Sequence, residues 1–167
     1  MKKILLLLLV AMSVCLSGFA QKGRQAVGVD VPFRIDIDGY ISLGLGLKYQ
    51  YNITDYICLE PAIQGSFIPE DEDRMTFSSV INSKFFFTSP NRFRPYGVIG
   101  LGFGTYEEYD WDYDGDIYRY SGLLLKAGLG LDYRLSYDWS WQLECNFETL
   151  YFEFSEIYIS TGITYNF

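Results

Sequence analysis

The chain has 167 residues, 49% of them hydrophobic and 19% aromatic, which is the length of one domain with ample apolar material for a core or a membrane wall. Its formal charge of −8 argues against a protein that binds nucleic acid by neutralising phosphates. The sequence contains no histidine, which excludes histidine-based acid/base catalysis, Ser-His-Asp triads and imidazole metal sites.

In chain order, the first segment reads as an export signal over residues 1–20. Met1-Lys2-Lys3 is a short positive start, residues 4–10 are unbroken apolar, and Gly18-Phe19-Ala20 offers a small-x-small cleavage site before Gln21. The stretch is too short for a spanning helix. Cys15 lacks the small residue just ahead of it that acylation would need. Cleavage would leave residues 21–167 as one domain, two charges more acidic than the full chain because Lys2 and Lys3 depart. It would also leave two cysteines, Cys58 and Cys145, which the strand pattern puts on opposite faces, so they are expected to be unpaired and poorly exposed.

From residue 27 onward the sequence alternates at period two, the signature of strands with two unlike faces. Val27, Val29, Val31, Phe33, Ile35 and Ile37 alternate with Gly28, Asp30, Pro32, Arg34 and Asp36. The next strand sets Ile41, Leu43, Leu45, Leu47, Tyr49 and Tyr51 against Ser42, Gly44, Gly46, Lys48 and Gln50. Further strands are predicted at about 56–68, 75–87, 95–106, 120–134, 139–152 and 156–167, which makes eight. The connections fall into two alternating classes, one at 52–55, 88–94 and 136–138, the other at 38–39, 69–74, 107–119 and 153–155. A hairpin echo supports the scheme: Gly44-Leu-Gly-Leu-x-Tyr49 followed by Leu59-Glu60 returns as Gly128-Leu-Gly-Leu-x-Tyr133 followed by Leu143-Glu144.

Eight alternating strands fit either a soluble ligand-carrying barrel or a membrane barrel, and the charges decide between them. The apolar phase carries no Asp, Glu, Lys or Arg in any strand. The other phase carries Asp30, Arg34, Asp36, Lys48, Glu60, Lys84, Lys126, Asp132, Glu144 and Glu148. A soluble barrel needs the reverse. A lipid-facing Arg or Lys costs roughly 2–4 kcal/mol at mid-bilayer, which accounts for the uncharged phase. The fold class is therefore all-β, an eight-stranded antiparallel up-and-down transmembrane β-barrel with its charges in the lumen. Glycines in the lumen phase let a narrow barrel close around long polar side chains. Tyr49, Tyr51, Phe85, Phe87, Tyr133, Trp139, Trp141, Tyr165 and Phe167, near strand ends, suit interfacial girdles.

The chain ends in Ser160-Thr-Gly162-Ile-Thr-Tyr165-Asn-Phe167. With the glycine-aromatic hairpins, this stretch resembles the small outer-membrane barrels of the OmpA/OmpX type, and more closely the porin-like outer-membrane β-barrel proteins of Bacteroidetes. The resemblance covers the whole mature chain. It implies a location in the outer membrane of a Gram-negative bacterium, in contact with lipid and lipopolysaccharide. It also implies that Ser160, Gly162, Tyr165 and Phe167 form the signal read by the barrel-assembly machinery, and that both termini lie in the periplasm. Residues 69–74 and 107–119 then form external loops holding ten acidic residues against Arg74 and Arg119.

Within the longer loop, Asp110-Trp-Asp112-Tyr-Asp114-Gly-Asp116 matches the first half of a calcium loop, with oxygen ligands at alternate positions. Ser121 stands where the closing glutamate would be, so a weak divalent-cation site is the most this motif predicts, and no other cofactor is expected. Tyr109, Asp110, Trp111, Asp112, Asp114 and Asp116 are the candidate contacts for an extracellular ligand. Membrane-barrel enzymes of this size work through a histidine, and Glu144 and Glu148 read more simply as partners for lumen cations. The expectation is a non-catalytic barrel with a side-chain-filled lumen, acting in envelope structure or in surface binding and adhesion through its acidic loops. The other reading is a porin-like channel of low conductance.

Overall fold

The structure, a computed structural model, describes residues 23–35, 41–68, 71–88, 92–109, 117–151 and 154–167. The proposed leader 1–20 lies outside these residues. Eight strands follow one another: β1 (Gln25–Ile35), β2 (Ile41–Asn52), β3 (Ile57–Ile68), β4 (Asp71–Phe86), β5 (Phe93–Tyr109), β6 (Ile117–Arg134), β7 (Trp139–Leu150) and β8 (Phe154–Asn166). Each pairs antiparallel with its sequence neighbours, and β1 closes on β8 in a register running from Ala26↔Asn166 to Ile35↔Ile157. Closure leaves no free sheet edge around the wall, which is what a sheet in hydrocarbon requires.

The period-two pattern becomes the inside and outside of the barrel. Leu45, Leu129 and Phe103 are 62%, 65% and 67% exposed, whereas Glu60, Lys84 and Gln142 are 1%, 0% and 1% exposed. This molecule is inverted relative to a soluble domain, with an apolar surface and a polar interior. The two cysteines divide in the same way, and both are free: Cys58 is buried in the lumen, while Cys145 is exposed on the outer wall. The expectation that both would be poorly exposed fails for Cys145 because the outer wall is itself the exposed face.

Two predicted loops are strand in part. β4 begins at Asp71, inside the predicted loop 69–74. β5 runs on to Tyr109 and β6 starts at Ile117, so both ends of the predicted loop 107–119 are in the ladder, and 110–116 lie outside the described residues. The physical reason is local. Thr105, Tyr106, Tyr109, Ile117, Tyr118 and Tyr120 favour extended backbone, and the register sets Glu107 opposite Arg119 and Tyr106 opposite Tyr120. About 9–11 residues suffice to cross a bilayer in a tilted strand. At 17 and 18 residues, β5 and β6 therefore continue past the wall as a two-stranded ribbon. β6 pairs with β7 only from Leu124 onward.

Both chain ends meet at one rim, where the Phe167 amide donates to the Gln25 carbonyl at 2.9 Å. The turns after β2, β4 and β6 share this terminal rim. The nine aromatics expected in two girdles all sit near it, with Trp139 and Tyr165 5.1 Å apart between ring centroids and Tyr165 stacked beside Phe167. The opposite end of the outer wall carries Phe33, Ile41, Leu43, Phe67, Met75, Phe77 and Phe103, all exposed. Most exposed Tyr and Trp among the described residues are thus at the terminal rim, with Tyr120 and Tyr151 exposed at the other end. At the terminal rim the bore widens into a cavity of about 670 Å³.

Candidate functional site: the charged lumen

Lys84, on β4, is the centre of the lumen. Its Nζ lies 2.6 Å from Glu60 on β3 and 2.6 Å from Glu144 on β7, on the far wall. Each carboxylate has further donors. Glu60 accepts from Gln50 Nε2 at 2.5 Å and from Asn82 Nδ2 at 3.1 Å. Glu144 accepts from the Tyr96 hydroxyl at 2.8 Å and Asn146 Nδ2 at 3.2 Å, and pairs with Lys126 at 3.3 Å. Gln142 accepts from both Lys84, at 3.3 Å, and Gln50, at 3.1 Å. An ion removed from water loses several kcal/mol of solvation, and only dense pairing of this kind makes its burial tolerable.

A second cluster lies toward the opposite end, around Arg34 on β1. Its guanidinium pairs with Glu148 at 3.0 Å and with Glu156, and donates to Gln64 Oε1 at 3.1 Å. It also stacks 4.4 Å over the Tyr158 ring, whose hydroxyl donates to Glu148 at 2.7 Å. Gln64 donates in turn to Asp30 at 2.8 Å, so one amide joins Arg34 to Asp30. Asp132 accepts from Gln142 Nε2 at 3.2 Å. Lys48 is buried along the wall, its Cε 3.3 Å from where a Cβ on Gly28 would stand. Asp36 lies outside the described residues. Glu144 and Glu148, two inward positions apart on β7 with Asn146 between them, are turned to different cations, Lys84 with Lys126 and Arg34 respectively.

The bore can hold these side chains because glycine lines part of it. A Cβ on Gly46 would collide with the Asp30 carboxylate, and one on Gly130 would enter the Tyr96 ring. These are the second glycines of the two echoed hairpins, so the repeat marks where large lumen side chains cross to the facing strand. Alternation reasoning missed Arg94 and Glu156, both at strand starts. Arg94 is buried with its guanidinium 3.7 Å over Phe86 and donates to the Asp55 carbonyl at 2.6 Å. Each has the inward phase of the residue two positions on, Tyr96 and Tyr158; starting the predicted strand 95–106 one residue earlier would have found Arg94, and following the inward phase to the first residue of the predicted strand 156–167 would have found Glu156. The amides Gln50, Gln64, Asn82, Gln142 and Asn146 were also missed as network members, although they share the inward phase of their strands.

The other candidate residues are dispersed. Asp110, Trp111, Asp112, Asp114 and Asp116 lie outside the described residues, and Tyr109 is described only as the last backbone position of β5, opposite Ile117. Ser160 is buried in the lumen and Gly162 packs against Val29 and Asp30 of β1, while Tyr165 and Phe167 face outward at the terminal rim. On the same outer wall the Trp141 indole donates to Thr161 at 2.8 Å, which satisfies two polar groups on a lipid-facing surface.

Three solved structures share this architecture. The N-terminal β-barrel domain of OprF from Pseudomonas aeruginosa is 18% identical, with TM-score 0.63, covering 87% of this chain and all of that one. Neisserial surface protein A is 11% identical, with TM-score 0.66, covering 87% and 97%. Ail, the attachment invasion locus protein of Yersinia pestis, solved with the heparin analogue sucrose octasulfate, is 18% identical, with TM-score 0.52, covering 88% and 100%. No curated protein matches the sequence. The sequence family described as the outer membrane protein beta-barrel domain matches residues 6–167. With a charge-free outer wall, a closed eight-stranded ladder and a match along nearly its whole length, the chain belongs to that family, a small β-barrel of the Gram-negative outer membrane.

Proposed function

We propose that the protein is a plugged, non-catalytic barrel whose work is done at its outer surface, in envelope structure or in binding and adhesion. The observation that carries this reading is the Lys84 bridge, which ties β4 to β3 and to β7 across the bore and fills an interior already narrow in an eight-stranded barrel. A rigid wall with a sealed centre suits a platform for the β5–β6 ribbon. With the termini in the periplasm, as the family orientation has it, that ribbon and its acidic tip face outward. The C-terminal strand, ending in Tyr165 and Phe167, is then the part offered to the assembly machinery. Lipopolysaccharide would contact the outer wall at the ribbon end.

The surface chemistry selects the partner. Ail was crystallised with a sulfated heparin analogue. The tip of the present chain is instead dense in carboxylates, from Glu107 to Asp116, so a polyanion would be repelled and a cationic surface, or one bridged by a divalent cation at Asp110, Asp112, Asp114 and Asp116, would be attracted. The test replaces residues 107–119 by a short neutral turn and compares cell or surface attachment with the unaltered protein at equal display. Loss of attachment supports the reading, and unchanged attachment overturns it.

A low-conductance channel is the second reading. It is favoured by the open cavity at the terminal rim, which leaves that end of the bore unfilled.

A further inference from the structure

The cavity at the terminal rim, which the channel reading uses only as an opening, has a lining that this reading leaves without a role. Its volume of about 670 Å³ is within the range of small-molecule sites, and its chemistry is specific. Three arginines line it, Arg24, Arg94 and Arg134, against two aspartates, Asp55 and Asp132. Gln50 and Phe86 also line it. Gln50 is hydrogen-bonded to Glu60 and Gln142, and so joins the cavity to the Lys84 plug. The cavity is therefore a cup backed by the plug rather than one end of an open bore.

Arg94 is the unusual member. It is 8% exposed, yet its Nε has no hydrogen-bond partner. Its guanidinium is held in place, stacked on Phe86 and tied through one Nη to the Asp55 carbonyl. Asp132 is opposite Arg94 in the ladder, but it receives a hydrogen bond from Gln142 at 3.2 Å. A buried donor left without an acceptor is costly to keep, and a guanidinium held by a ring face and a carbonyl is already oriented. An oxyanion with two adjacent oxygens is the natural complement to such a group. Arg24 is exposed and Arg134 half-buried, so both can add field and contacts from the rim at little cost in desolvation.

We propose that this cup binds a phosphate group, anchored by Arg94 and flanked by Arg24 and Arg134. Two sources share that chemistry, a free phosphate in the adjoining aqueous compartment and the headgroup of a neighbouring phospholipid.

The probe is inorganic phosphate, titrated into the refolded barrel in an amine-oxide detergent and a phosphate-free chloride buffer. Binding is followed by calorimetry and by the arginine Nε–Hε cross-peaks in NMR spectra. The expected result is a saturable change that includes the Arg94 peak, weakened at least tenfold in Arg94→Gln. If Arg94→Gln does not fold, the double variant Arg24→Gln/Arg134→Gln, with folding checked by heat-modifiable gel mobility, is expected to show the same direction of loss. Repeating the titration in phospholipid nanodiscs separates the sources. An Arg94 peak already displaced there, and indifferent to added phosphate, identifies the headgroup, whereas an undiminished response identifies the free ion. A linear, unsaturable shift, or binding that survives both sets of variants, overturns the proposal.

Discussion

Glu60 and Glu144 stand on opposite walls of the barrel, four strands apart, and each holds a carboxylate oxygen 2.6 Å from the same Lys84 Nζ. They are also the equivalent residues of the two echoed hairpins, so the internal repeat supplies both halves of one clamp. Lys84 has no exposure to water, so its ammonium relies on that clamp together with Gln142 and Tyr96.

Replacing Lys84 by methionine leaves two buried carboxylates facing each other without their shared cation. Breaking a buried pair by removing one partner costs about 3–5 kcal/mol. Urea unfolding of Lys84→Met in detergent is expected to show a loss of that order. The triple variant Glu60→Gln/Lys84→Met/Glu144→Gln should recover much of it. A Lys84→Met midpoint equal to that of the parent would show that the bridge carries no stability.

Gly130 is expected to resist any side chain because Tyr96 occupies the space a Cβ would fill. Gly130→Ala should cost about 1–3 kcal/mol by overpacking. In a Tyr96→Ala background the same change should be nearly neutral, and a double-mutant cycle measures that coupling. Additive effects would mean that the two positions do not meet.

The outer wall should respond to charge according to depth. Leu129→Arg, in the middle of the apolar band, is expected to lose about 2–4 kcal/mol in bilayer folding titrations, and Tyr133→Arg, beside the terminal rim, about 0–1 kcal/mol. Equal penalties would contradict the placement of the girdle.

Cysteine labelling reads the two faces separately. Cys58 is 1% exposed inside the lumen, whereas Cys145 is on the outer wall. In lipid vesicles a small apolar maleimide should modify Cys145 alone. A charged, membrane-excluded reagent should modify neither until the barrel is unfolded. Labelling of folded Cys58 at the rate of Cys145 would mean that the lumen is open.

Legibility in the sequence followed the physics of each part. The wall was readable because a bilayer penalises every charge on one phase, and within the apolar band no strand breaks that rule. The inward charges were readable for the same reason, but their partners were not. Period two says that Lys84 and Glu144 share a face; it does not say that they reach each other across the bore, with β5 and β6 between their strands. The ends of strands misled most. Asp71, Glu107 and Arg119 look like loop residues by charge, yet they lie in ladders beyond the apolar band, where water tolerates charge and cross-strand pairing holds the backbone extended. Arg94 and Glu156 were lost at the same kind of boundary. The aromatic girdle residues were readable one by one, but their gathering at one rim required knowing which strand ends meet there.

The most direct test of the sealed lumen is a planar-bilayer conductance recording of the refolded barrel at high salt, with insertion confirmed independently. The account predicts a silent bilayer for the parent and measurable unitary steps only when the clamp is removed, as in the Glu60→Gln/Lys84→Met/Glu144→Gln variant. Reproducible steps from the unaltered protein, with ion selectivity that changes on charge reversal at Lys48 or Glu144, would contradict it and make the inward charges a conduction path.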